Sequence, residues 1–346
     1  MTIAIILLVI LIFGLLVFVH ELGHFVAAKR AGVKVEEFGF GFPPRLFGVK
    51  RGETIYSLNW LPLGGFVRMK GENIADTREH TFGAASFWNK TKILLAGVVM
   101  NAVTAYVILV GLCLTGLPPV VENQFSFGTP QYVQPKQVMA VAVVPGSPAE
   151  QAGMKRGDLI LRGDGKSLGS EKELLAFTKE QAGKTTTIEV RHGGETKALQ
   201  VKLHPPETKQ GFLGVTPFQT YKLQYNFIDS LITAAGILGQ LAWATLAAFG
   251  NLIVGLFVHQ QVSEQVAGPV GIVVLLSSVV DLGLAYVFLF VASISVSLAV
   301  INALPLPALD GGRLLMVIAQ RLTKRNVSEK VETAVHATGF VLLILL

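Results

Sequence analysis

Leu15-Leu16-Val17-Phe18-Val19-His20-Glu21-Leu22-Gly23-His24 ends an apolar run that opens at Thr2 and carries no charge from Ile3 to Val19. Such a run predicts a helix, about 25 Å long where it reaches His20, against a hydrocarbon core of roughly 30 Å. Positions i and i+4 share a helix face, so the imidazoles of His20 and His24 can meet on one metal ion. Zn2+ suits two neutral imidazole nitrogens and leaves room for a third ligand and a water. Glu21 stands beside the first ligand, where a carboxylate takes a proton from metal-bound water. The spacing by itself recurs by chance in many helices. Inside a membrane helix, however, every ionisable group is costly unless it is paired, coordinated or wet. Three in five positions favour a metal site, with His20 and His24 as ligands and Glu21 as catalytic base.

The rest of the composition fits a membrane setting. Of 346 residues, 51% are hydrophobic and 15% charged, and the mean hydropathy is +0.55. These values predict a multi-pass membrane protein with a modest soluble part. The net charge of +6 does not make a nucleic-acid surface, because the basic residues cluster beside apolar runs as cytoplasmic loops do. No nucleic-acid partner is expected. Cys113, the single cysteine, excludes an intrachain disulfide and a cysteine-based metal site. Residues 1–28 imitate a secretion signal ending at Val26-Ala27-Ala28. They lack its basic start and exceed its apolar length, so a retained first membrane helix is expected.

Residues 29–92 are basic and rich in glycine, which places them in the cytoplasm and the N-terminus outside. Phe38-Gly39-Phe40-Gly41-Phe42-Pro43-Pro44, Thr54-Ile55-Tyr56-Ser57-Leu58-Asn59-Trp60 and Leu63-Gly64-Gly65-Phe66-Val67-Arg68-Met69 read as short hairpins. Their apolar content suits a membrane-associated β-hairpin element; a peripheral cytoplasmic hairpin is the other reading. Residues 93–117 form a second span, in which Asn101 reads as an interhelical hydrogen-bonding residue.

Residues 118–206 are soluble in character, with alternating strands at 185–190 and 198–203. Within them, 143–160 reads as strand, turn, short helix with Ser147 as N-cap and Pro148 in its first turn, glycine break and strand. That piece, with Asp158-Leu159-Ile160-Leu161 and Gly163-Asp164-Gly165-Lys166, resembles a bacterial PDZ domain. Such a fold takes peptides or protein termini by adding a strand to a sheet edge; the plain alternative is a spacer that blocks access. Residues 207–280 are expected to hold a linker and apolar helices. There, 228–258 lies at the outer interface or forms a hairpin with 266–280, because counting crossings against the basic loops forbids a simple span. A third span is expected in 281–312, a cytoplasmic segment in 313–333 and a last apolar run in 334–346. That last run is short for a full span, as a truncated C-terminus would leave it.

Asn302-Ala303-Leu304-Pro305-Leu306-Pro307-Ala308-Leu309-Asp310-Gly311-Gly312 supplies the second half of the site. Two prolines break the helix at membrane depth and open its backbone to a cavity. Asp310 falls in the cytoplasmic half with His20 and His24, and a His2Asp set plus water completes a catalytic zinc site. Locally, Asp310 also suits a helix N-cap. Asn302 either holds substrate or an oxyanion, or bonds the backbone of its own broken helix.

Together these motifs are similar to the site-2 protease family, in its bacterial branch of the regulator-of-sigma-E protease. The resemblance covers nearly the whole chain. It implies a polytopic α-helical membrane protein with an inserted PDZ-like α/β domain, in which His20, His24 and Asp310 bind Zn2+ and Glu21 activates water. It further implies that the 54–70 region, with Gly64, Gly65, Phe66 and Val67, pairs with substrate, and that Asn302 assists. The implied substrates are single-pass membrane proteins, such as anti-sigma factors and remnant signal peptides, cut in the plasma membrane with the active site toward the cytoplasm and the PDZ-like domain outside. Two departures stand out: one PDZ-like domain where some relatives have two, and Arg313 where some carry His. The rivals are a non-catalytic membrane adaptor built on the PDZ-like domain and a lipid hydrolase. The intact Glu21 argues against the first, and the strand-adding hairpin against the second.

Overall fold

With no proline to interrupt it, the first apolar run is a single helix, α1 (Thr2–Arg30), in a computed structural model of the chain. Lys29 and Arg30 close its last turn, where a helix dipole favours cations. The structure describes residues 2–72, 76, 78–121, 123–192, 194–206, 211–255, 269–324 and 329–345. Its contacts divide into two units, Met1–Val107 with Leu238–Val266 and Val291–Leu346, and Ile108–Ile237 with Ala267–Phe290.

In the first unit the expected short hairpins are instead one irregular sheet of β1 (Val35–Arg51) and β2 (Thr54–Met69). Both strands bend, so each is used twice. Phe38 lies between Val67 and Tyr56, Gly39 between Phe66 and Ser57, and Phe40 between Gly65 and Leu58, while 47–51 pairs with 54–58. Residues 65–69 are therefore an edge. Phe42, Phe47, Leu58, Trp60 and Leu61 are exposed apolar side chains, suited to a lipid environment rather than water. Below them Glu37 is buried and held by Arg45 at 2.6 Å and Arg68 at 3.1 Å.

Helix α2 (Phe87–Thr115) starts before the expected residue 93, because the Ser86 hydroxyl accepts the Asn89 N–H and caps the first turn. Ala28, Val33, Val35, Met69, Phe82, Ile93, Leu94 and Val317 form one buried cluster that ties α1, the sheet and α2 together.

In the second unit, β3 (Tyr132–Val133) precedes β4 (Gln137–Val143), α3 (Pro148–Gln151), β5 (Leu159–Gly163), β6 (Lys166–Ser167), α4 (Glu171–Glu180), β7 (Thr185–His192) and β8 (Glu195–Lys202). The sheet runs β8-β7-β5-β4 and then β9 (Val215–Thr220), with β6 on β5. The soluble domain thus extends past the expected boundary at 206. β9 was hidden from sequence by Pro217, which is tolerated because β9 is an edge strand. A short β10 (Leu223–Gln224) pairs with β3. The core contains Val138, Ala140, Ile160, Leu174, Phe177, Ile188, Val190 and Val201. Ser147 caps α3 with Pro148 at its start, as its sequence predicts.

The chain continues through α5 (Phe227–Val254), α6 (Pro269–Val280), α7 (Leu284–Ala303), α8 (Asp310–Thr323) and α9 (Glu329–Leu345). Among the described residues, four helices are long and apolar enough to cross a membrane: Ile3–Arg30, Phe87–Thr115, Phe227–Val254 and Leu284–Ala303. The expected interfacial stretch at 228–258 is thus, up to Val254, one unbroken helix of crossing length. The turn of the hairpin expected with 266–280 lies outside the described residues. The third-span region divides at its prolines, since α7 ends at Ala303 and an amphipathic α8 starts at Asp310.

Candidate metal centre

One helical turn separates His20 from His24, and their Nε2 atoms lie 3.1 Å apart with the rings edge to face at 77°. Both residues are buried. Asp310 reaches them from 286 positions beyond His24, its Oδ2 lying 3.0 Å from His20 Nε2 and 3.2 Å from His24 Nε2. Pro305 and Pro307 cannot extend α7, and α8 begins afresh with Leu309 extended before it. Asp310 is the first residue of α8 and not its N-cap, so its carboxylate is free to face the histidines. A Cβ on Gly311 or Gly312 would fall on the carbonyls of Leu304 and Leu306, respectively. Only glycine lets the first turn of α8 lie against the proline break.

The ring orientations have a physical cause. His24 Nδ1 donates to the Ile93 carbonyl at 2.7 Å, which places the proton on Nδ1 and leaves Nε2 a lone pair. His20 Nδ1 lies 3.2 Å from Asn101 Nδ2 while Asn101 Oδ1 has no partner; with the amide turned over, Oδ1 accepts the Nδ1 proton and leaves His20 Nε2 a lone pair. Nothing larger than Gly97 fits beneath the pair, because a Cβ there would stand 2.5 Å from His24 Nε2 and 2.6 Å from His20 Nε2.

Three potential ligand atoms converge, all within 4.8 Å of one another, and Asp310 Oδ2 is buried there without a hydrogen-bond partner. With both imidazoles neutral and protonated on Nδ1, their lone pairs and the carboxylate oxygen repel unless a cation lies between them. The spacing is close to the roughly 3.3 Å between neighbouring ligands of a tetrahedral ion with bonds of about 2.0–2.1 Å. Two nitrogens and one carboxylate oxygen are also a donor set zinc accepts. The residues present therefore fit the ion that the motif calls for.

Glu21 points toward the sheet, its Oε2 accepting the Val67 N–H at 3.1 Å. The stretch 64–67 reaches α1 by close approach: a Cβ on Gly64 would lie 2.9 Å from Val17 Cγ1, and one on Gly65 3.2 Å from Phe18 Cα. Gly64, Gly65, Phe66 and Val67 thus lie along α1 from Val17 to Glu21. Asn302 does not join them. Its Nδ2 donates to the Leu298 carbonyl at 3.0 Å, the local bond within its own helix.

Two residues of this site escaped sequence reasoning. Asn101, read as interhelical, binds two other helices: its backbone carbonyl accepts from Ser295 Oγ of α7 at 2.8 Å, and its side-chain amide meets the metal-facing His20 of α1, which the sequence did not single out as its partner. Gly97 and Asn101 are i and i+4 on α2, and a small residue one turn from an amide inside an apolar helix was the available signal.

The model of the peptidase family M50 matches residues 8–346. A Clostridium perfringens protein bearing a zinc metalloprotease name is 32% identical over 342 residues, covering 96% of this chain and 93% of its own. The zinc metalloprotease RasP of Shouchella clausii is 28% identical, covering 97% and 95%. The regulator of sigma-W protease RasP of Bacillus subtilis is 27% identical, covering 97% and 94%. Among solved structures, the PDZ domain of an SdrC-like protein from Listeria monocytogenes is 28% identical over 23% of this chain and 85% of its own, with a TM-score of 0.21.

Proposed function

This chain belongs to peptidase family M50, the site-2 protease family, and from that premise we propose that it is a zinc metalloprotease that hydrolyses peptide bonds within the membrane-spanning segments of single-pass proteins. The observation that carries the reading is the meeting of His20 Nε2, His24 Nε2 and Asp310 Oδ2 at one point, 3.0–3.2 Å from one another. These three residues hold the zinc. When bound, it polarises the scissile carbonyl and makes a coordinated water acidic. Glu21 takes the water proton and hands it to the leaving amine nitrogen. Ile93 and Asn101 keep the two imidazoles turned so that Nε2 faces the ion.

A closed helix hides its carbonyl carbons, so the substrate is cut as an extended strand laid beside residues 64–67. The basic residues of 29–92 favour a cytoplasmic active site and an external PDZ-like domain, which takes peptide or protein termini. Substrates of the anti-sigma type, or remnant signal peptides, agree with the sigma-W name of the Bacillus relative.

Glu21→Gln should keep its zinc and lose about 10²–10⁴-fold in cleavage of a membrane-embedded reporter. Asp310→Ala should lose the zinc itself, as read by elemental analysis of the purified protein. Full zinc content in Asp310→Ala would remove that residue from the ligand set.

A further inference from the structure

Along the edge 65–69, alternate N–H groups point toward and away from β1. Lys70 N–H turns inward, donating to the Lys34 carbonyl at 2.8 Å. Those of Met69 and Val67 therefore turn outward, where an added strand would need them. Neither is open. Val67 N–H donates to Glu21 Oε2 at 3.1 Å, and Met69 N–H donates to Glu72 Oε1 at 3.1 Å. Among the described residues no strand pairs on that side. Two carboxyl groups thus occupy the two successive outward donors of the edge, Val67 and Met69.

We infer that Glu72 and Glu21 together stand in for the substrate backbone, and that an incoming strand must displace both before the peptide bond is cut. The inference rests on the reading that substrate pairs with residues 64–67. Its consequence is mechanistic. The oxygen of Glu21 that holds Val67 in the free enzyme is released for the water proton by the carbonyl that replaces it, so pairing and activation of the base are one event. Glu72 has somewhere to go. Its Oε2 already lies 3.9 Å from Arg313 Nη2, three residues beyond Asp310, and on release the pair can tighten. Glu72 is thus a positioning residue that sets the threshold for strand docking and touches none of the reacting atoms.

The test uses the full-length, zinc-loaded protein in nanodiscs and a fluorescein-labelled apolar hexapeptide amide. A copy of the peptide methylated at alternate backbone nitrogens serves as its control. Glu21→Gln does not cut but keeps an acceptor for Val67, whereas Glu21→Ala removes it. Relative to Glu21→Gln, we expect about threefold to tenfold tighter binding in Glu21→Ala, and a similar gain when Glu72→Ala is added to Glu21→Gln. In the otherwise unaltered enzyme, Glu72→Ala should lower KM for the same peptide more than it changes kcat. Equal or weaker binding in both alanine variants, with the methylated copy still rejected, would overturn the stand-in and leave strand pairing intact. If the methylated copy binds as well as its parent, strand pairing itself falls and the inference with it. Zinc content measured on each variant separates these outcomes from a damaged fold.

Discussion

The metal-facing turn of α1 and the sheet of the PDZ-like domain treat polar groups in opposite ways. In the domain, acceptors are met by donors: buried Asp158 by His192 at 2.6 Å and by the Lys155 N–H, exposed Asp164 by Thr186 at 2.7 Å and by the Thr187 N–H. The two Thr contacts hold the Asp164 carboxyl below the usual carboxylate range. In α1, Nε2 of His20 and Nε2 of His24 face Asp310 Oδ2, a buried oxygen without a hydrogen-bond partner. Satisfied groups hold a fold together. Groups left to face one another, inside helices where each is costly, mark the place where something else binds.

Two glycines give the sharpest way to break that contrast. A Cβ on Gly97 would press on both metal-facing nitrogens, and one on Gly163 would overlap the Phe177 ring in the domain core. Gly97→Ala should therefore lower zinc content more than tenfold and take cleavage with it. Gly163→Ala should destabilise the domain by about 1–3 kcal/mol, as overpacking does, with zinc stoichiometry unchanged. Elemental analysis and domain-resolved hydrogen exchange on the two proteins decide the matter. A zinc-replete Gly97→Ala would mean that the histidines are not held where they meet Asp310.

Asn101 gives a smaller effect and a finer distinction. Removing the partner of a ligating histidine typically weakens metal affinity 10–100-fold, and Asn101→Leu should fall in that range by competition with a chelating dye. With its amide turned over, Asn101 places the otherwise unpartnered Oδ1 on His20 Nδ1; Asn101→Asp keeps an acceptor there and should recover most of the loss. Ser295→Ala breaks only the bond to the Asn101 backbone carbonyl, so it should leave the affinity alone. Equal losses in Asn101→Leu and Ser295→Ala would return Asn101 to a purely interhelical role.

The same contrast explains what the sequence revealed. His20 and His24 were legible because helical periodicity is local, and Asp310 because an acid beside two prolines in an apolar run has few other uses. Asn101 was not, since its partner lies 81 positions away and an isolated amide has a common structural use. The sheet of β1 and β2 was legible as strands but not as one sheet. Bent strands that pair along both edges leave no signature in alternation. β9 was missed for the related reason that its partner, β4, lies far back in the chain and its own proline argues against a strand. Local patterns carry the chemistry here, and long-range pairing carries the geometry.

The smallest effect tests the satisfied side of the comparison. Ser147 is fully buried, and its hydroxyl accepts the Glu150 N–H at 3.3 Å at the start of α3. Gly214 packs directly against its Cβ, so Ser147→Ala keeps the packing atom and removes only the acceptor. The Glu150 carboxylate still takes the Gly146 N–H at 2.6 Å, which holds the other half of the turn. The loss should accordingly be about 1 kcal/mol, the middle of the N-cap range. It should appear as roughly fivefold faster hydrogen exchange at the α3 amides, with zinc content and cleavage unchanged. A fall in zinc content would mean that the two regions do not keep their polar groups independently, and the contrast between them would lose its meaning.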